Sequence, residues 1–212
     1  MSGSGRLDRR LLCVLVLGLA CVLPAAVARA EDGSKALLQS LEAALATGRK
    51  DAIEPLIEPL EEAFRDEKRP KVRRSLAHGL WRVARLEKNL WTAIAAQEAL
   101  GRVTDADLVW SVVEPDFVAA TATDRLQCVV LGLVKALRPA DAVPALVKHL
   151  TILPDVGDLG TGMSPEFART LVEAIGAYGP TIPQREVVLP ALLRSAQMVS
   201  FWLQMADAPE AR

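Results

Sequence analysis

Asp51-Ala52-Ile53-Glu54-Pro55-Leu56-Ile57-Glu58-Pro59-Leu60 reads almost as a copy of Asp141-Ala142-Val143-Pro144-Ala145-Leu146-Val147-Lys148-His149-Leu150. Asp, Ala and two Leu coincide, and Ile stands for Val twice. A third stretch, Leu189-Pro190-Ala191-Leu192-Leu193, echoes Val143 to Val147, and Ala106-Asp107-Leu108-Val109 precedes Ala140-Asp141-Ala142-Val143 by 34 residues. Self-similarity at such spacing is the signature of stacked helical units, because one pair of helices cannot bury its apolar face alone.

Working outward, apolar residues recur at helical spacing from Ser34 onward, with no sustained strand alternation. Asp51 and Glu54 read as a capping box, and Pro59 is expected to kink or split the helix that follows. Pro70 can occupy the first position of a helix running to about Leu86. Further helices are expected at Asn89 to Leu100, Asp105 to Val113 (cut by Glu114-Pro115), Asp124 to Leu137, from Pro139 to Leu150, from Ser164, and over Val187 to Met205. Thr151 to Gly162, with Pro154 and three glycines, reads as an exposed loop open to proteases. The 212 residues allow one domain or two small ones, and 51% hydrophobic residues with only 4% aromatic ones suit an Ala/Leu/Val core of packed helices.

At Ala99-Leu100-Gly101-Arg102-Val103 and Asp141-Ala142-Val143-Pro144-Ala145-Leu146 the chain resembles the HEAT-repeat family in its short, degenerate bacterial form. The likeness covers residues 51–200. It implies an all-α solenoid, a curved stack of antiparallel helical pairs that binds partners, and it implies no catalytic site. Two other readings stay open: a HEAT-like lyase with an acid and a base on the concave face, for which no carboxylate stands out, and a plain helical bundle serving an envelope structure.

Residues 1–30 read as a signal peptide. Arg6, Arg9 and Arg10 form a positive segment, Leu11 to Leu23 an apolar one too short to span a bilayer, and Ala28-Arg29-Ala30 a cleavage site. Arg9-Arg10 leaves a twin-arginine route open, while Gly18 argues against lipidation of Cys21. The expected product is a periplasmic or secreted protein, residues 31–212, with 21 basic and 25 acidic residues and Cys128 as its one cysteine. That charge excludes a polybasic nucleic-acid binder. Cys128, among Leu126, Val129, Val130 and Leu131, is expected to be a buried structural thiol.

His78 and His149 are the only histidines, and neither sits in a metal-binding motif. His149 is expected at a helix end, in a dipole contact or in solvent. Gly157, Gly160 and Gly162 lack the lysine and strand of a phosphate loop, and Asp155 and Asp158 fall short of a calcium loop. No cofactor is implied. One surface stands out: at 100° per residue Val72, Leu76, Leu80, Val83 and Leu86 share one side of a helix, and Arg74, His78, Trp81 and Arg85 share the other, flanked by Lys71, Arg82 and Lys88. A cationic strip around an exposed indole would take an acidic protein or an anionic envelope polymer.

Overall fold

The computed structural model describes residues 33–86, 88–119, 122–152 and 164–193. The expected signal peptide, residues 153–162 of the expected loop and the end of the last apolar segment lie outside them. The described residues are all-helical, without a strand. In chain order they form α1 (33–47), α2 (Lys50–Ile53), a 3-10 turn Glu54–Leu56, α3 (Ile57–Asp66), α4 (Pro70–Ala84), α5 (Leu90–Gly101), α6 (Ala106–Val118) and α7 (Asp124–Leu137). A 3-10 turn at Ala140–Ala142, α8 (Val143–Ile152), α9 (Pro165–Gly176), a 3-10 turn at Gly179–Thr181 and α10 (185–193) complete it.

Local chemistry explains most boundaries. The prolines divide the quoted segment into α2 and α3, with Pro55 inside the intervening 3-10 turn and Pro59 in the first turn of α3, where its missing N–H costs nothing. Asp51 is not a cap: it lies in the first turn of α2 and pairs with Arg49. Asp105, Thr123 and Ser164 do cap their helices, each side chain accepting the N–H three residues on. The expected break at Pro115 does not occur, and α6 continues to Val118. Its last turn is anchored by fully buried Phe117 and by Asp116, which accepts hydrogen bonds from Trp81 and Arg85, and these contacts offset the local cost of the proline.

From α3 to α9 contacts skip along the chain. α3, α5, α7 and α9 follow one another in contact, as do α4, α6 and the turn opening α8. The cross-links give direction as well as contact. From α4 to α6, Arg73 bonds Asp105, Arg74 bonds Ser111, and Trp81 and Arg85 bond Asp116, so both helices run the same way. Between α7 and α9, Asp124 meets the Ser164 N–H at one end and Lys135 meets Glu173 near the other. α1 and α4 behave alike: Leu41 lies against Gly79, Glu42 pairs with Arg82, and the Gly48 carbonyl accepts from Asn89. Gly79 permits that approach, since a Cβ there would stand 3.0 Å from the tip of Leu41. These polar links join residues 31 to 41 positions apart.

Candidate groove between α5 and α7

The expected strip on α4 is not a free surface. Trp81 is fully buried, and its Nε1 donates to Asp116 Oδ2 at 2.6 Å. Arg85 shares that carboxylate at 2.8 Å, Arg74 donates to Ser111 at 2.9 Å, and Arg82 pairs with Glu42. His78 and Lys71 are exposed, and Val72 and Leu86, expected in the core, are only half-buried. The physical reason is that α4 packs against α1, α3, α5 and α6, so its buried arc from Gly79 round to Trp81 exceeds half its circumference. The indole lies at the edge of that arc, where α6 covers it.

His149 also departs from expectation. It belongs to the last turn of α8, but its ring packs between Phe117, at 4.5 Å between centroids, and Phe167, at 5.8 Å. Burial, helped by the Lys148 charge, holds it below the usual imidazole range. The unfolded chain therefore takes up a proton near pH 6.5 that the folded chain resists, and stability falls as pH drops through that value. Melting temperature measured from pH 7.5 to 5.0 should decline, and His149→Phe should flatten this part of the profile; an unchanged slope would remove His149 as its source. Glu67 acts at lower pH. Arg69, opposed by burial, and the Lys68 and Arg69 N–H groups hold its carboxyl at about 2, so its contribution is lost only as pH falls below about 4.5.

A concavity lies on the other layer. α5 and α7, with the start of α9, enclose a groove of about 700 Å³, and a smaller hollow of about 270 Å³ adjoins it towards the end of α4. Gln97, Arg125 and Val129 line both. Gly101, Cys128, Gly132 and Ala136 keep the walls low, and Glu98, Arg102 and Glu166 stand along the groove. A Cβ at Gly132 would meet nothing within 4 Å, so the protein's own packing does not require that glycine. A glycine inside a helix costs roughly 1 kcal/mol relative to alanine.

The charges along the groove are unequally engaged. Glu61 of α3, itself buried, receives both arms of Arg102 at 2.6 and 2.9 Å and one from Arg65 at 2.9 Å, and Arg102 above all pushes its carboxyl below the usual range. Asp124 is spent on the Ser164 N–H. Arg125 is exposed, and among the described residues it has no hydrogen bond or ion pair. Cys128 is half-buried at the wall instead of deep in the core; burial pushes its thiol up, against a hydrogen bond with Thr170. That favours the inert thiol over the thiolate.

The sequence does not mark this groove as a site. α5 is apolar nearly all round, so its period does not reveal which side faces out, and Arg125 is one basic residue among many. Among the described residues no group of three or more His, Cys, Asp or Glu could hold a metal ion, and no helix is long and apolar enough to cross a membrane. The chain matches no protein-family model, and no curated protein or solved structure is significantly similar to it.

Proposed function

We propose that this chain is an exported, non-catalytic HEAT-like module that binds a protein partner along the groove between α5 and α7. In this reading the signal peptide is removed after Ala30, and antiparallel pairs α4/α5, α6/α7 and α8/α9, which are neighbours in contact, stack as a short α-solenoid. The observation that carries it is the register of helices of one layer, with α2 and α3 counted as one broken helix between α1 and α4. α1 with α4, α4 with α6, and α7 with α9 run parallel, linked across 31 to 41 residues, which brackets the 34-residue echo in the sequence. Such a stack leaves a groove between adjacent helices of one layer, and a groove walled by small residues admits another chain closely.

The test uses the chain from Glu31 immobilised with the envelope fraction of its own source. One macromolecule retained in near-stoichiometric amount is expected, together with its release by Gly132→Leu, a change that fills the groove without entering the core. Helix content and melting should stay unchanged. Retention of nothing, or of the same material by Gly132→Leu, would overturn the reading.

A further inference from the structure

The protein holds two large exposed apolar side chains side by side. Trp91 is 72% exposed and Leu90 51%, at the start of α5. An indole left in water on an ordered helix is unusual enough to need an explanation, since it forgoes the burial that nearly every other aromatic ring of the described chain obtains. Helical geometry places the pair on the groove side of α5: Leu90, Ile94, Gln97 and Gly101 recur at four, three and four residues, and the last two line the groove. Leu90 lies seven residues before Gln97, about 10 Å along the axis, and the whole line to Gly101 measures about 16 Å, the length of five extended residues.

At the junction of the two hollows stands Arg125. The other guanidiniums beside it are held, Arg85 by Asp116 and Arg102 by Glu61. Of the three arginines that line the two hollows, Arg125 alone keeps its five donors open. Of the groove's carboxylates, Asp124 adjoins Arg125 but is held by the Ser164 N–H, Glu166 stands at that same end in the first turn of α9, and Glu98 stands 3.9 Å from Arg102 towards the other end. The groove thus begins beside an apolar pair and holds at its junction a guanidinium with its donors open.

Building on the binding-module reading, we propose that the α5/α7 groove takes a short extended segment of a partner protein, with an apolar side chain on Trp91 and Leu90 followed by a carboxylate on Arg125. The carboxylate gains bidentate contact with an unengaged guanidinium. The apolar side chain gains the indole, a side chain type that dominates interface energetics at low entropy cost. The segment carries no second acid, because Asp124 and Glu166 at one end and Glu98 at the other would repel it. The low walls at Gly101 and Gly132 let its backbone lie close to both helices.

A displayed library of random twelve-residue peptides, selected on the chain from Glu31, tests the assignment. Enriched sequences should pair an aromatic or aliphatic residue with Asp or Glu a few positions on. A synthetic peptide of that sequence should lose about tenfold or more in affinity to Trp91→Ser and to Arg125→Glu, and binding should weaken with salt. A peptide with Lys in place of its acid should recover binding to Arg125→Glu. Both side chains are exposed, so circular dichroism and melting should match the parent. Basic consensus sequences, or affinity unmoved by either substitution, would overturn the assignment while leaving the module reading to its own test. Failure to enrich any peptide, with dextran sulfate bound and lost on Arg125→Glu, would replace the peptide by an anionic polymer and overturn it too.

Discussion

Trp81→Ala is expected to cost about 3–5 kcal/mol, the range for truncating a buried aromatic to alanine. The fully buried ring fills the seam between α4 and α6, and its removal leaves a cavity beside Asp116. Trp81→Phe should retain most of the apolar filling and lose the 2.6 Å hydrogen bond, a smaller loss of about 1–3 kcal/mol. Because Asp116 also holds Arg85, Asp116→Ala combined with Trp81→Phe should show non-additive losses in a double-mutant cycle. Urea unfolding followed at 222 nm checks all three. A melting curve for Trp81→Ala that overlays the parent would mean that α6 does not cover the indole, and the register of α4 against α6 would fall with it.

The two tryptophans also show what the sequence could and could not yield. Helix positions were legible wherever apolar spacing, a capping side chain or a proline marked them: α4 begins at Pro70, α9 at Pro165 behind its Ser164 cap, and α7 spans the expected Asp124 to Leu137. Which faces meet was not legible. Trp81, flanked by Arg and Lys, read as surface, but a helix touched on several sides by neighbours buries more than one stripe. Trp91 sits in Leu90–Gly101, where Ala, Leu and Ile occur around the whole circumference and only Thr92, Gln97 and Glu98 are polar. Only the placement of α3 and α7 on either side of α5 decides that Leu90 and Trp91 face out. The groove shares that limit, since Arg125 gains meaning from the pairing of Arg85 and Arg102 with acids distant in sequence. The spacing of the echoes, by contrast, carried tertiary information: Ala106 and Ala140, 34 residues apart in sequence, open elements that touch.

Leu146→Asp is expected to have the larger effect, and the way the damage spreads decides between a stack and a bundle. Leu146 is fully buried in α8. The change removes a leucine contact, with a loss of about 2–5 kcal/mol, and adds an unpaired carboxylate whose desolvation costs several kcal/mol more. Together these rival the 5–15 kcal/mol that holds a typical domain folded. In a compact bundle every helix shares one core, so amide protection should collapse uniformly from α1 to α10. In a stack each unit is held by its neighbours, and stability is a sum of unit and interface contributions. Protection measured by hydrogen exchange should then vanish in α8 and α9, fall in α6 and α7 because they contact the turn opening α8 and α9, and persist in α1, α3 and α4. The links of α1 to α4 and of α3 to α5, through Glu42, Gly48 and Glu61, involve nothing beyond Arg102 and should survive. A uniform collapse would identify one cooperative core and end the solenoid reading, because parallel next-but-one helices alone would then be a feature of bundle topology and not of independent repeating units.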